Sequence, residues 1–220
     1  MDNEKKNSLE KLCFGILIAV VFIMGFNAYQ ISQLKHIGNS VSGMNDMNTA
    51  TRNSMANLAA STKTNLSITP KGIPEIYGGE LEISYDDVSA ADQKKADATI
   101  KKLGMLDQQI TLNGDDLKRY ISVAGQISCE YCCGTDSIIF PDGKAACGCQ
   151  HSFAMRGVAK YLIKNHPADY TDDGILEELS KWKILFFPEQ MAKKAAVMES
   201  KGIELNPINL ASNKYRNIEN

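Results

Sequence analysis

Between Cys129 and His151 the chain places Cys129, Cys132, Cys133, Cys147, Cys149 and His151, which are five of its six cysteines and one of its three histidines. The order is C-x2-C-C-x13-C-x-C-x-H. Thiolate and imidazole are the side chains that Zn(II), Cu(I) and iron-sulfur clusters select, so this crowding points to a metal site. Four chemistries fit the spacing. A structural zinc site would use Cys129, Cys132, Cys147 and either Cys149 or His151. A functional soft-metal site would use the surplus ligands for Cu(I), for a second ion or for transfer to a partner. Disulfides are a third use, although five cysteines leave one thiol unpaired and neighbours such as Cys132 and Cys133 bridge each other poorly. Dithiol redox work by Cys129 and Cys132 is the fourth, without the βαβ context of a thioredoxin. A minimal zinc clip needs only four ligands, so the excess argues against a purely structural role. Haem is disfavoured because C-x-x-C-H is missing, and an oxidising compartment disfavours an iron-sulfur cluster.

These residues need elements to bring them together. Leu117, Tyr120, Ile121 and Ala124 share one face of a helix predicted from about Leu117 to Ile127, and that helix delivers Cys129. Pro141, Asp142 and Gly143 form a turn signal between Ser137–Phe140 and Lys144–Cys147, which predicts a β-hairpin returning Cys147 and Cys149 to Cys129, Cys132 and Cys133. Ser152 is placed to cap a helix running to about Asn165. Cys149 and His151 then sit at its positive end, where a thiolate is favoured. On that helix Met155 reads as core packing rather than a thioether ligand, and Arg156 is suited to a carboxylate or to neighbouring carbonyls. His166 reads as a surface residue at the helix end, and His36 as part of a stalk.

The rest of the chain divides by composition. Residues 1–11 carry Lys5, Lys6 and Lys11, residues 12–29 contain an apolar run from Leu12 to Phe26, and only Lys35 follows closely. This predicts a transmembrane signal anchor with a cytoplasmic N-terminus and an extracytoplasmic C-terminal domain in the cell membrane. No small-residue cleavage pattern follows the run, which argues against a removed signal. Cys13 lies at the cytoplasmic end of the span, apart from the cluster. Residues 30–70 read as stalk and tether: Ile31, Leu34, Ile37, Val41 and Met44 recur at helical spacing and could pair with another chain, and an Asn-, Ser- and Thr-rich stretch follows. Asn65-Leu66-Ser67 matches a glycosylation acceptor.

Residues 71–220 are patterned as a cysteine-rich helical domain. Leu81–Tyr85 and Gln109–Leu112 read as short strands, and Ser89–Leu103 as a helix stopped by Gly104. Asp87 and Asp92 fall where carboxylates favour a helix start. Ile175, Leu176, Leu179, Trp182 and Phe186 mark a helix after Thr171, with Trp182 as a core anchor and Glu177 and Glu178 on its solvated face. Glu189–Lys201 marks another, ended by Gly202. Residues 206–220 are polar with scattered Ile, Leu and Tyr, suited to wrapping the domain or fraying.

A net charge of -2 and scattered basic residues give no footprint for nucleic acid. No P-loop, G-x-G-x-x-G or Ser/His/Asp arrangement supports a nucleotide enzyme or conventional hydrolase. The segments Cys129-Glu130-Tyr131-Cys132-Cys133-Gly134 and Ala146-Cys147-Gly148-Cys149-Gln150-His151-Ser152-Phe153-Ala154-Met155-Arg156-Gly157 resemble those of single-pass membrane-anchored cysteine-rich proteins with a CxxCC…CxCxH cluster, a group without an established activity. Cys-Gly-Cys with a nearby histidine is loosely similar to PCYCGC-motif proteins, although Ala146 stands where that motif needs a cysteine. The sequence thus predicts a mainly α protein, with a transmembrane helix and a small extracytoplasmic domain whose β-hairpin carries a Cys/His metal site. Its expected ion is zinc, with copper(I) next and an iron-sulfur cluster behind. Expected partners are the membrane and a metal ion, with another membrane protein as a third. A thiol-disulfide oxidoreductase and a scaffold with a purely structural cluster are the alternatives.

Overall fold

The computed structural model describes residues 68–219. The expected anchor, the stalk, most of the tether, Cys13 and His36 lie outside these residues. Among the described residues no helix is long and apolar enough to cross a membrane. The described chain is mainly helical, in the order α1 (Gln93–Gln109), α2 (Gly114–Ala124), α3 (Gln150–Asn165), α4 (Asp172–Phe186), α5 (Pro188–Ser200) and the short α6 (Pro207–Ala211). Single 3-10 turns at Tyr85–Asp87 and Asn213–Tyr215 flank this set.

The centre of the domain is α3, which packs most extensively on α1 and also touches α2 and α4. Its Ala154, Met155, Gly157, Val158, Ala159, Leu162 and Ile163 are buried, so it is enclosed on most sides. Two glycines set how closely α1 approaches. A Cβ on Gly157 would lie 2.0 Å from the Leu103 carbonyl oxygen, and one on Gly104 would lie 3.2 Å from Phe153 Cβ. Gly104 therefore does not stop the helix as expected. It sits inside α1 because the neighbouring helix needs the space, against an intrinsic helix penalty of about 1 kcal/mol. Asp92 caps α1 by accepting from the Lys95 N–H at 3.0 Å, and Ala96, Thr99, Ile100 and Leu103 form its buried stripe.

No strand forms among the described residues. Leu81–Tyr85 belongs to a turn: Ile83 N–H donates to Gly78 O at 2.9 Å and Tyr85 N–H to Gly72 O at 2.8 Å, while Glu82 takes a positive φ of 47° that breaks an extended run. Gln109 ends α1, and the residues after it connect to Asn113. The expected hairpin reduces to one antiparallel bridge, Ile139 with Ala145. Phe140 N–H donates to Lys144 O at 2.7 Å and Ala146 N–H to Ile138 O at 3.1 Å, around a turn in which Gly143 has φ 83°. Its limbs do not extend into strands because other partners hold them: Ile138 N–H bonds back to Ile127 O at 3.0 Å, and a buried arginine takes the Ile138 and Cys147 carbonyls.

On α4, Trp182 is fully buried as expected, but Glu178 is 6 % exposed rather than solvated. The segment before α1 covers it. Tyr77 donates to Glu178 Oε2 at 2.7 Å, the Tyr85 hydroxyl donates to the same oxygen, and Trp182 Nε1 donates to the Tyr77 hydroxyl at 2.7 Å. Two phenols and Lys181 thus satisfy a carboxylate that helical periodicity alone placed outside. Glu177 keeps a side chain 43 % exposed. His166 is also buried, not superficial, because Glu80 Oε2 lies 3.1 Å from Nε2 and Asp169 Oδ2 lies 3.1 Å from Nδ1. Gly202, at φ 66°, ends the α5 region as predicted.

Candidate metal centre

Two segments build the site. After α2 the chain buries Ile127, Ser128 and Cys129, then turns on itself: the N–H groups of Cys132 and Cys133 both donate to Cys129 O, at 3.2 and 3.1 Å. Gly134, at φ 67°, closes that turn. The second segment is the start of α3, where Cys149 itself is the N-cap instead of the expected Ser152. Its sulfur accepts the Ser152 N–H at 3.3 Å. Sulfur thus satisfies one of the free N–H groups that every helix start presents. His151 lies in the first turn of the same helix.

The ligand atoms of Cys129, Cys132, Cys149 and His151 all lie within 4.8 Å of one another and could hold a metal ion. Cys129 Sγ and Cys149 Sγ are 3.3 Å apart. Tetrahedral zinc with Zn–S near 2.3 Å separates two sulfurs by about 3.8 Å, so small side-chain movements bring this set to coordinating geometry. The ring of His151 packs 4.9 Å from the rings of both Phe186 and Phe187. Its Nδ1 is buried with no hydrogen-bond partner in the protein, an arrangement that costs free energy unless a ligand uses the ring.

Charge is shared unevenly across the thiols. The hydrogen bond from Cys129 holds the Cys149 thiol well below its ordinary range; burial opposes this, and His151 and the Ser152 hydroxyl and N–H assist it. The same hydrogen bond and burial push the Cys129 thiol up, and burial with the Cys149 charge pushes up Cys132.

The remaining two expected ligands are used differently. Cys133 and Cys147 form a disulfide with Cα atoms 6.3 Å apart, tying the first cysteine turn to the limb that enters α3. Sulfurs paired this way are not thiolate ligands, so the sequence's set of six divides into four residues that could hold a metal ion and a crosslink. The Cys149 sulfur lies within 4.8 Å of both disulfide sulfurs as well. It belongs to both groups.

Several supporting residues carry no signal in the ligand spacing. Arg156, 1 % exposed, meets both expectations for it: Nε lies 2.8 Å from Asp107 Oδ2, and Nη1 donates to Ile138 O at 3.2 Å and Cys147 O at 2.9 Å. Its guanidinium also stacks over Phe153, 4.5 Å from the ring centroid. Met155 is core, as read from the sequence. Glu130, between two site residues, is buried against Lys183 at 3.1 Å, Lys194 at 3.4 Å and Arg216 at 3.6 Å. Burial opposes its ionisation, but the two lysines outweigh that and hold the carboxyl below its ordinary range. Arg216 pairs with Asp136 as well and donates to Gly134 O at 3.0 Å, while Tyr131 donates to Glu219 at 2.7 Å. The polar C-terminal stretch therefore wraps the cysteine turn rather than fraying. A cavity of about 610 Å³, lined by Gln93, Asp97, Ile100, Lys101, Gln150 and His151, opens on the histidine side of the centre.

No family model, curated protein or solved structure matches the chain.

Proposed function

We propose that this chain is a membrane-anchored, extracytoplasmic metal-binding protein that takes up zinc through Cys129, Cys132, Cys149 and His151, for sequestration, sensing or delivery. One observation carries the reading: four soft or borderline ligand atoms from two separate segments converge within 4.8 Å, beside a buried imidazole nitrogen with no protein partner. Three sulfurs and one nitrogen match a four-coordinate zinc site. Copper(I) is the next candidate, since it shares the preference for thiolate. The anchor and its orientation follow from the apolar run of residues 12–29 and the lysines before it.

The test is elemental analysis of the full chain, purified anaerobically in detergent without added metal, with a free-thiol count on the same sample. About one zinc per chain is expected from a single closed site. His151→Ala and Cys132→Ser should each lose most of that zinc. Metal-free protein whose Cys129 and Cys132 are oxidised to each other would overturn the reading in favour of thiol-disulfide exchange. Zinc lost from the variants without change in fold would separate this centre from a purely structural clip.

A further inference from the structure

The sulfur of Cys149 has two possible partners and room for only one. It lies within 4.8 Å of the ligand atoms of Cys129, Cys132 and His151, and equally within 4.8 Å of both sulfurs of the Cys133–Cys147 disulfide. Cys133 is exposed and Cys147 buried. We propose that Cys149 exchanges between the metal and this disulfide, so that loss of the ion is coupled to an internal thiol–disulfide rearrangement. This presupposes the metal site proposed above and adds a chemical event to it.

The step is an isomerisation. After a side-chain movement that brings it in line with the S–S bond, the Cys149 thiolate attacks Cys133 Sγ; the Cys149–Cys133 bond forms, the Cys133–Cys147 bond breaks, and Cys147 leaves as the thiolate, so the negative charge passes from one sulfur to the other. One disulfide is consumed and one is made, so no external oxidant or reductant enters. Attack on Cys133 is preferred over Cys147 because a Cys147–Cys149 bridge would close a ring around Gly148 alone, which strains disulfide geometry. Exchange frees the Cys147 sulfur, but that sulfur is not in the group whose ligand atoms all lie within 4.8 Å of one another around Cys129, Cys132 and His151, so the ion keeps only those three of its four ligands. Bound metal blocks the reaction by occupying the Cys149 sulfur, and the exchanged disulfide blocks the metal by the same competition. Thermodynamic linkage makes the two effects equal in size.

Disulfide mapping by mass spectrometry tests this on the full chain, held with saturating zinc or stripped by a chelator, then quenched in acid and alkylated. Stripped protein should contain the Cys133–Cys149 linkage with Cys147 alkylated, and saturating zinc should suppress that linkage by about tenfold or more, because metal and disulfide compete for one sulfur. The total thiol count should be the same in both samples. A Cys133–Cys147 map that does not change on stripping, in protein that binds zinc, would overturn the exchange and leave the metal site standing. A map that already contains Cys133–Cys149 in protein that takes up no zinc would instead overturn the metal reading.

Discussion

Arg156 shows how one side chain fixes the position of a site it does not join. Its guanidinium holds the Ile138 and Cys147 carbonyls, and the Asp107 carboxylate, itself only 8 % exposed, balances its charge and that of Lys160 at 2.7 Å. Removing one member of a buried pair leaves an uncompensated charge, which is more costly than the pair is stabilising. Asp107→Asn should therefore destabilise the domain by about 3 kcal/mol in urea unfolding, with the cysteine limb loosened first. Asp87 gives a pH-dependent counterpart. Burial opposes its ionisation, but Lys95 at 2.7 Å, the Ser84 N–H at 2.9 Å and Thr99 outweigh that, and the carboxyl is held below its ordinary value of 3.8. A depressed folded-state pKa contributes stability above the unfolded value and loses it as pH falls through the folded one. The stability difference between wild type and Asp87→Asn should accordingly be constant at neutral pH and shrink below about pH 4, as followed by denaturant midpoints across acid buffers.

At the scale of elements, the site depends on where α3 begins and how closely α1 lies against it. A methyl at position 157 would meet the Leu103 carbonyl at 2.0 Å, a distance no side-chain adjustment relieves because the oxygen is backbone and a Cβ is fixed by its own backbone. Gly157→Ala should separate the two helices and cost about 3 kcal/mol, seen as a large drop in thermal midpoint. Gly104→Ala meets only Phe153 Cβ at 3.2 Å and gains helix propensity, so its effect should be much smaller. The N-cap makes a separable prediction. Cys149→Ser keeps a capping atom for the Ser152 N–H while removing the sulfur ligand, and should lose zinc with little change in melting of the metal-free protein. Cys149→Ala should lose zinc and about a further 1 kcal/mol of helix stability.

At the scale of the whole molecule, the C-terminal stretch and the cysteine turn form one unit although they are far apart in sequence. Asn213 N–H donates to Gln126 O at 2.8 Å, its side chain to Asp136 O at 2.9 Å, and Arg216 grips Glu130 and Asp136. Ending the chain after Ser212 should leave the helices intact by circular dichroism. Zinc affinity should fall by about tenfold, as loss of outer support around a metal site typically does. The helices were legible because apolar residues at three- and four-residue spacing announce themselves locally, as from Ile175 to Trp182, and the cluster was legible because its residue types are rare and crowded. Glu178, His166, Lys183 and Lys194 were not, since helical period says which face a residue occupies but not whether a distant segment covers that face. The alternation at Leu81–Tyr85 misled for a related reason: a strand needs a neighbour, and none lies beside it among the described residues. By itself, then, the sequence determined that Cys129, Cys132, Cys133, Cys147, Cys149 and His151 would meet on a mainly helical scaffold, through ligand chemistry, helix period and one strong turn. Only the tertiary structure decided that Cys133 and Cys147 pair while Cys129, Cys132, Cys149 and His151 converge, because which sulfurs come within bonding reach depends on long-range packing around α3.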